Sequence, residues 1–406
     1  MRNHEDTVFP FFRSVDQSSL NPFVKNYSGP AFIYSKKIIE NQYQGLKDCI
    51  PPKFNIFFAQ KSNPNPKILK LLSGLNAGCD TASGGEIRSA LKAGFPNKKV
   101  MLTGPGKSKE ELELAVENDL LSVNVESLQE AELLNEICQQ SNKVQNILVR
   151  INPGFEAGET NRIIGGKGVS KFGIDIDQLP DFFEKVKALQ NIKITGIHIF
   201  NSSQILDWNK IYINVKNVID TAINIKEKYS IEIKHIDLGG GFGIQYSSED
   251  NELDIKKLGT ALYSLLEEKK YSSFLKNVEL IFEPGRFLTG ECGIYIMKVL
   301  YTKISGGVSI AITDGGIHHM IRPALIGHEH TIVNLSANLN KQTNKKKNYL
   351  IAGPLCTSID QFSNSALIDE IVPGDILAIL NAGAYGYTES MPLFLSHKPA
   401  SEHFVN

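Results

Sequence analysis

Short apolar runs alternate with amphipathic helical patterns between about residue 50 and residue 285, and this alternation limits the fold more than any other feature. The apolar runs are Phe54–Gln60, Gly78–Ser83, Val100–Gly104, Leu121–Glu126, Asn146–Asn152, Ile194–Phe200, His235–Gly240 and Glu279–Glu283. The helical patterns between them include Lys67–Leu75, Glu86–Ala93, Lys109–Glu117, Ser127–Gln139 and Asn209–Tyr229. Eight βα units predict a TIM (β/α)8 barrel. A doubly wound open sheet is the alternative, because alternation alone does not show that a sheet closes.

The pattern changes after Gly285, where β-forming segments follow one another without long helices. These segments are Gly293–Ile304, Val308–Asp314, Thr331–Ser336, Asn348–Ala352 and Asp375–Leu380. A chain of 406 residues has room for two domains. We therefore predict an α/β barrel of residues 34–286 and an all-β sandwich or barrel domain of residues 1–33 and 287–406. The polar, basic stretch Asn338–Asn348 is interpreted as a solvated hairpin loop, with a binding patch as the alternative.

Charge and cysteine usage exclude several classes of function. The net charge of −1 gives no electrostatic case for binding nucleic acid or an anionic membrane. No CxxC pair occurs, which favours reduced thiols and a cytoplasmic location, and no metal site is predicted. The cysteines are Cys49, Cys79, Cys138, Cys292 and Cys356. The polar start, Met1–Asp6, is followed by no long apolar segment, so neither a signal peptide nor a membrane span is expected.

Unusual polar residues fall at the carboxyl ends of the predicted strands, which is the catalytic face of a TIM barrel. They are Lys61, Asp80, Arg150, His198, Ser203, Glu283 and Arg286. We expect Lys61 to be partly desolvated at the barrel mouth, which would lower its affinity for a proton and make it a nucleophile toward an aldehyde. The alternative for Lys61 on its own is an ordinary surface lysine.

The glycine run Gly239–Gly243 follows the strand that begins at His235. Consecutive glycines let backbone N–H groups face an anion, and an arginine such as Arg286 can form paired hydrogen bonds with a phosphate. Ser203 would add a hydroxyl donor. The run lacks the spacing of a dinucleotide site, and a tight loop is its other interpretation.

A carboxylate such as Glu283 can keep a pyridine nitrogen protonated, which makes the ring an electron sink. The alternative for Glu283 is a surface ion pair with Arg286, which would stabilise little. Cys356 follows Gly353-Pro354, where an inert buried thiol is the usual interpretation. Tyr385 lies in the glycine-lined segment Asn381–Gly386, where it is either a phosphate ligand or a hairpin tyrosine.

Seven motifs together resemble the fold-type III pyridoxal phosphate (PLP) decarboxylases, the family of diaminopimelate, ornithine and arginine decarboxylases. They are FFAQKSNPNPKILKLL, GCDTASGGEIRSALKAG, SKFGID, HIDLGGGFG, FEPGR, GPLCTSID and NAGAYG, in family order over about residues 54 to 387. The resemblance implies an alanine racemase-like barrel plus β domain. It also implies PLP as cofactor, a small-molecule amino acid as substrate, and a homodimer whose active sites are shared between subunits.

The resemblance also implies roles for single residues. Lys61 would hold the cofactor covalently, Asp80 and Glu86 would orient it, and Glu283 would pair with the pyridine nitrogen. The remaining cofactor-binding residues would be Arg150, Phe200, Ser203, Gly240, Gly241, Gly285, Arg286 and Tyr385. The substrate would meet Arg286, Arg322, Cys356, Thr357, Asp360 and Tyr385. Cys356 and Asp360 would come from the partner subunit, and Cys356 would give a proton to Cα after carbon dioxide leaves.

The sequence departs from the family pattern at several positions. Phe200 occupies the place of a histidine that stacks on the cofactor, and Ile326 stands where diaminopimelate decarboxylases usually have tyrosine. Thr357 replaces the glutamate that meets the distal ammonium of the substrate, and an unpaired buried ammonium would cost a few kcal/mol. Phe200, Thr357 and the loop Gly165–Gly168 resemble a subgroup in secondary metabolism, some of whose members act on an amino acid held on an acyl-carrier protein.

Two other functions remain as alternatives at this point. Amino-acid racemases share the barrel and the β domain, but alanine racemases place arginine where this chain has Glu283. A catalytically inactive regulator is the other alternative, which the presence of Lys61, Glu283 and Cys356 disfavours.

Overall fold

The computed structural model describes residues 10–153, 170–247, 249–327, 329–340 and 345–406. The chain forms two compact units. The barrel unit contains Tyr43–Gly243 and Glu252–Gly285, and the β unit contains the described residues up to Gln42 together with Ile244–Asn251 and Arg286–Asn406. The domain limits 34–286, 1–33 and 287–406 stay a prediction. In the part of the chain that the structure describes, no helix is both long and apolar enough to cross a membrane.

The barrel unit is built on eight parallel strands that close on themselves. In chain order, the barrel strands are Phe54–Ala59, Gly78–Thr81, Val100–Leu102, Ser122–Val125, Gln145–Asn152, Ile192–His198, His235–Asp237 and Glu279–Phe282. Each pairs with its neighbours in sequence, and the eighth strand pairs in parallel with the first, Leu280 lying opposite Phe54. The fold is therefore a TIM barrel as predicted, and the open sheet is excluded. A two-residue strand, Ile174–Asp175, is added beside the fifth barrel strand.

Helices precede and connect the barrel strands, and six of them begin at a side chain that caps the helix. Their bounds are Lys36–Cys49, Pro66–Gly74, Gly84–Ala93, Lys109–Glu117, Leu128–Gln140, Leu179–Val186, Trp208–Tyr229, Ile255–Glu267 and Lys269–Phe274. Short 3-10 turns occur at Gln60–Ser62, Asn97–Lys99 and Leu275–Asn277. Ser108 and Glu111 form a reciprocal capping box, which satisfies two backbone N–H groups at one helix start. Gly94 ends the helix before it with a φ of 96°, a conformation that glycine adopts without strain.

The core of the barrel unit includes a cluster of fully packed side chains from the first, third, fifth and eighth strands. They are Phe57, Met101, Leu148 and Ile281. Truncating such a side chain, as in Phe57→Ala, typically costs about 3–5 kcal/mol because a cavity remains. The sixth strand approaches the seventh so closely at Gly196 that a Cβ there would collide with the carbonyl oxygen of His235. The sheet therefore requires glycine at that position.

The β unit contains a mixed sheet. Its strands are Ala31–Ser35, Gly293–Ser305, Val308–Thr313, Ile332–Asn334, Lys346–Ala352, Gln361–Asp369, Ile376–Ile379 and Ser401–Val405. Its α-helices are short: Pro10–Ser14, Asn21–Lys25, Arg286–Thr289, Arg322–Ile326 and Leu335–Leu339. Three 3-10 turns lie at Gln17–Ser19, Gly290–Cys292 and Phe394–Ser396.

The sequence analysis identified five of these strands and missed three. Ala31–Ser35 is antiparallel to Gly293–Ser305 and parallel to Ser401–Val405, so it is held by segments far away in sequence. The predicted strand Thr331–Ser336 is shorter than expected, because a helix begins at Leu335.

The stretch Asn338–Asn348 is partly described. A helix ends at Leu339 and a strand begins at Lys346, while residues 341–344 lie outside the described residues. The interpretation of this stretch as a hairpin loop therefore stays a prediction.

Candidate active site

Buried polar side chains collect at the carboxyl ends of the barrel strands. Asp80, Arg150 and His198 lie in the last two or three residues of the second, fifth and sixth strands, and Glu283 follows the eighth. All four are at most 6% exposed. The placement of polar residues at this barrel end follows the prediction from sequence.

The central feature of this barrel end is an acid–histidine cluster. The His198 Nε2 atom lies 3.5 Å from the Glu283 Oε2 atom. This is the limit for a hydrogen bond, so we treat the contact as electrostatic. One ligand atom from each of His198, Asp237 and Glu283 lies within 4.8 Å of the other two. The same three atoms could hold a metal ion, although the sequence predicts none.

Two members of this network were missed in the sequence analysis. The Asn124 Nδ2 group donates to Thr103 Oγ1 at 3.0 Å, and it lies 3.3 Å from His198 Nδ1 and 3.4 Å from Asp237 Oδ2. Asp237 Oδ1 accepts the Gly239 backbone N–H at 3.0 Å. Asp237 ends the strand that leads into the glycine run, and this position was the available signal.

Burial and mutual repulsion shift the pKa values of the buried carboxyl groups in different directions. Burial, and then the charge of Glu283, raise the pKa of Asp80 from 3.8 to about 8. Burial and Glu283 also raise the pKa of Asp237 well above its ordinary value. Burial acts against ionised Glu283 too, but His198, Asp237 and Lys61 outweigh it and lower its pKa to about 2. Burial lowers the pKa of His198. Glu283 is therefore the ionised acid of the cluster, beside protonated Asp237.

Arg150 is engaged within the barrel unit by other groups. Its NH1 atom donates to Glu126 Oε1 at 2.7 Å, and both side chains are almost fully buried. The second oxygen of Glu126 accepts the Gly173 N–H at 2.8 Å, and the Arg150 guanidinium lies 4.7 Å from the centre of the Phe172 ring. This pairing anchors the Phe172-Gly173 segment to the fifth strand. The predicted contact of Arg150 with a cofactor stays a prediction.

Lys61 lies in the 3-10 turn Gln60–Ser62 just after the first barrel strand. Its Nζ atom is 5.5 Å from the centre of the Phe200 ring. Its charge lowers the pKa of Asp80 and of Glu283, which shows that it faces this cluster electrostatically. Lys61 is nevertheless exposed in the single chain. Its expected partial desolvation and its nucleophilic role stay predictions.

Glu86, which the resemblance assigns with Asp80 to orienting the cofactor, is half-buried at the start of a helix. Its carboxylate accepts the Ala82 backbone N–H at 2.8 Å. Burial raises its pKa, while that hydrogen bond and the charge of Lys61 act in the opposite direction. Glu86 therefore shares the electrostatic field of Lys61 and Asp80, and its first function in the fold is to close the loop after the second strand.

The glycine run forms a tight backbone turn at the carboxyl end of the seventh strand. Gly239 and Gly241 have φ angles of 66° and 95°, which favour glycine. A Cβ on Gly240 would collide with the Glu283 carbonyl, and one on Gly241 would lie 2.7 Å from the Ser202 carbonyl. Ser203 is half-buried. Gly285 is also required, because a Cβ there would lie 2.9 Å from the Ser62 side chain.

The β unit contains a buried arginine held by tyrosines. Arg286 is 7% exposed, and its NH1 atom donates to the Tyr246 hydroxyl at 2.5 Å. Its guanidinium lies 5.0 Å from the centre of the Tyr385 ring. Tyr385 has a φ of 61°, so the backbone is turned to present this ring. Tyr246 was not identified from sequence, since nothing in its local pattern marks it.

Tyr385 also contacts a second buried arginine of the β unit. The Arg322 guanidinium lies 4.7 Å from the centre of the Tyr385 ring. Arg322 NH1 donates to Glu389 Oε2 at 2.8 Å, and the two side chains are 7% and 33% exposed. The sequence analysis identified Arg322 and Tyr385 as site residues and missed Glu389.

The Cys356 loop is held by Asp360. The two carboxylate oxygens of Asp360 accept the backbone N–H groups of Ile317 and Leu355, each at 2.7 Å. Cys356 is exposed and Thr357 half-buried. The thiol is thus not buried. Asp360 fixes the loop that presents Cys356, and its predicted contact with substrate stays a prediction.

The residues at the carboxyl ends of the barrel strands fit a pyridoxal phosphate. Within the described residues, Glu283 Oε1 and Asp80 Oδ1 are buried without a hydrogen-bond partner. Buried carboxylate oxygens without partners are costly, so a cationic or N–H donor is expected there. Gly240 and Gly241 have no space for side chains, and their backbone N–H groups can face a phosphate. The loop Gly165–Gly168 lies outside the described residues.

Comparisons with known proteins identify the family. The family model of the pyridoxal binding domain of pyridoxal-dependent decarboxylases matches residues 36–290. A diaminopimelate decarboxylase of Aquifex aeolicus is 35% identical over 378 residues, which are 93% of this chain and 86% of that protein. An L-glutamyl-[BtrI acyl-carrier protein] decarboxylase of Niallia circulans is 32% identical over 388 residues, 95% of this chain and 90% of that protein.

A solved structure shares the fold over nearly the whole length. It is the crystal structure of diaminopimelate decarboxylase from Helicobacter pylori complexed with L-lysine, with a TM-score of 0.84 and 28% identity. The match covers 95% of this chain and 94% of that chain. The chain therefore belongs to the fold-type III family of pyridoxal phosphate-dependent decarboxylases, and it is a carboxy-lyase that uses this cofactor to release carbon dioxide from an amino acid.

Proposed function

We propose that this enzyme decarboxylates an amino acid whose far end is masked, with the side-chain thioester of glutamate on an acyl-carrier protein as first candidate. Thr357 carries the proposal, because it places a neutral hydroxyl directly after Cys356. A free diamino acid would bring an ammonium there and find no carboxylate at this position. A relative that is 32% identical is named for an L-glutamyl carrier-protein substrate.

The chemistry of decarboxylation limits where such a thioester is attached. The α-carboxylate must be free, because it is the group that leaves as carbon dioxide. A glutamyl group bound to a carrier is therefore linked through its side-chain carboxyl group. This linkage removes the negative charge at the far end of the substrate.

The residues of the barrel unit would divide the work as follows. When bound, pyridoxal phosphate supplies an electron sink for the charge left at Cα. Lys61 would hold the cofactor covalently, and Glu283 would hold a proton on the pyridine nitrogen. His198 keeps Glu283 ionised, since the contact of 3.5 Å favours the carboxylate. Phe200 would cover one face of the ring with an apolar surface that cannot carry a proton.

The phosphate would be held by backbone N–H groups of the glycine run and by the Ser203 hydroxyl. Arg286 and Tyr385 would add a buried cation and a hydroxyl, which is supported by the way Tyr246 fixes the guanidinium. Cys356 would donate a proton to Cα after carbon dioxide leaves. The exposed position of its thiol supports this role, since an acid must reach the substrate.

Diaminopimelate decarboxylation is the second candidate. It is favoured by a diaminopimelate decarboxylase relative at 35% identity and by the buried Arg322, which could hold a distal carboxylate. This alternative requires another group to take over the distal ammonium in place of Thr357.

We propose further that the enzyme is a cytoplasmic homodimer with shared active sites. The strand Gly293–Ser305 leaves Tyr301 and Ile304 68% and 72% exposed, and apolar side chains at such exposure favour a protein interface. The free cysteines of the described residues suit a reducing compartment. Light scattering of the purified protein measures its mass, and a monomer would contradict the proposal.

The substrate proposal is tested by carbon dioxide release from the PLP-loaded enzyme. The panel contains meso-diaminopimelate, lysine, ornithine, arginine, glutamate and the side-chain glutamyl thioester of pantetheine. We expect release from the thioester at least tenfold faster, as kcat/KM, than from any free amino acid. Faster release from meso-diaminopimelate would select the second candidate and refute the interpretation of Thr357.

A further inference from the structure

We infer that Glu389 is a specificity-determining residue that makes the enzyme reject substrates with a free distal carboxylate. The inference rests on the proposed function and on the prediction that Arg322 meets the substrate, and it extends that function to the charge at the far end of the substrate. Glu389 Oε2 accepts a hydrogen bond from Arg322 NH1 at 2.8 Å.

Arg322 is the more deeply buried member of this ion pair, and few groups can neutralise its charge. Arg322 is 5% exposed, and its Nε atom is buried without a hydrogen-bond partner among the described residues. A guanidinium in this environment strongly favours an anion. Tyr385 covers it from one side at 4.7 Å, which leaves the carboxylate of Glu389 as the group that neutralises it in the β unit.

Glu389 is more exposed than its partner. Its side chain is 33% exposed against 7% for Arg322, so the ion pair itself is screened and stabilises the fold only modestly. The effect of Glu389 on the binding of a ligand is larger than its effect on stability. A substrate carboxylate would have to displace a carboxylate that is tethered to the same chain and competes at a high effective concentration. It would also approach that carboxylate as a like charge.

A neutral group at the far end of the substrate does not compete with Glu389 for the charge of Arg322. The carbonyl oxygen of a thioester or amide can accept a hydrogen bond from the remaining N–H donors of Arg322 while Glu389 stays in place. The pair therefore presents a site with no net charge that still contains a donor. This matches a glutamyl side chain masked as a thioester and excludes free glutamate.

The test compares substrates within one enzyme. The ratio of kcat/KM for free glutamate to kcat/KM for the side-chain glutamyl thioester of pantetheine is measured in the PLP-loaded wild type, in Glu389→Gln and in Glu389→Ala. We expect the ratio to rise at least tenfold in both variants, because Glu389 no longer neutralises the charge of Arg322. Glu370→Gln, which alters an exposed acid of the same unit, should leave the ratio as it is. A change of less than twofold at Glu389 would overturn the inference.

A binding measurement separates this inference from the proposed function, because it requires no turnover. Calorimetry with glutarate and with glutarate monoamide compares a charged with a neutral far end in the same protein. We expect Glu389→Gln to increase the affinity for glutarate relative to the monoamide about tenfold. Equal preference in wild type and variant would refute the role of Glu389. Failure of the wild type to release carbon dioxide from the thioester would instead refute the proposed substrate, whatever the calorimetry shows.

Discussion

His198 and Glu283 face each other at 3.5 Å at the carboxyl ends of the sixth and eighth barrel strands. Both are buried, so their interaction is weakly screened by solvent. The histidine keeps its neighbour ionised while burial holds its own pKa below the ordinary value. Glu283 is thereby available as an anion for the pyridine nitrogen across the working pH range.

Replacing His198 is expected to move the pH dependence of turnover. Glu283 must be ionised to hold the pyridine proton, and His198 is the first group that lowers its pKa against burial. In His198→Gln, the pKa of Glu283 should rise, so kcat should begin to fall at a higher pH on the acidic side. The measurement is a kcat–pH profile between pH 5 and pH 9. An acidic limb that coincides with that of the wild type would refute this role for His198.

Glu283→Gln should lower kcat by about 10²–10³-fold, since an amide cannot keep the ring nitrogen protonated. The side chain is isosteric, and the variant should still bind the cofactor. Steady-state rates with a spectroscopic measure of bound cofactor separate the two effects. Loss of activity that follows loss of cofactor would contradict the proposed electronic role.

The raised pKa of Asp80 predicts how the stability of the cofactor-free protein depends on pH. In the folded state Asp80 keeps its proton up to about pH 8, whereas the unfolded chain releases it near 3.8. The folded state therefore binds more protons in this window, and the free energy of unfolding should fall as pH rises from 4 to 8, by at most about 1.4 kcal/mol per pH unit for one group. Asp80→Asn should flatten this slope in urea titrations at pH 5 and pH 8. A variant with the wild-type slope would show that Asp80 is not the titrating group.

Much of the barrel could be predicted because its signals are local. Each barrel strand is a short apolar run bounded by turn residues, and the helix Lys109–Glu117 begins at a capping box that is visible in the sequence. The strand Ala31–Ser35 gave no such signal. It is paired with Gly293–Ser305 and Ser401–Val405, and contacts over such separations leave no local pattern.

Prediction of the candidate site from the sequence has the same limit, because contacts between distant residues leave no local pattern. Asp80 and Glu283 were identified because motif position and strand ends agree. Glu389 was missed because its partner, Arg322, lies 67 positions away in sequence, and only the fold brings them together. The exposure of Lys61 could not be read from its strand, since it depends on the turn that follows.

Lys61→Ala should abolish decarboxylation, because no other residue of the described site offers an amine beside the acid cluster. Borohydride reduction followed by peptide mass measurement gives a second, independent result. The wild-type peptide that contains Lys61 should gain the mass of the reduced cofactor, and the variant should not. Lys70→Ala, on an exposed helix position, serves as the control. A variant that retains normal turnover would refute the assignment of Lys61.

Cys356→Ala should slow release of the amine and increase conversion of the cofactor by misplaced protonation. The thiol is exposed on a loop that Asp360 holds, so its removal should leave the fold unchanged. Ser358→Ala, at a neighbouring exposed position, should behave as wild type. Product analysis by mass spectrometry measures the ratio of amine to side product, and a ratio that does not change would argue against Cys356 as the proton donor.

Thr357→Glu is expected to shift the substrate preference of the enzyme toward diamino acids. The substitution places a carboxylate directly after Cys356, where the distal ammonium of meso-diaminopimelate would otherwise lose its hydration without a counter-charge. A charge-assisted hydrogen bond to such a group contributes about 1.5–3 kcal/mol, so kcat/KM for meso-diaminopimelate should rise roughly 10–100-fold. Thr357→Gln, which has the same length without the charge, should give little of this gain. If both variants gain equally, then length rather than charge determines the preference, and if neither gains, Thr357 does not face the distal end of the substrate.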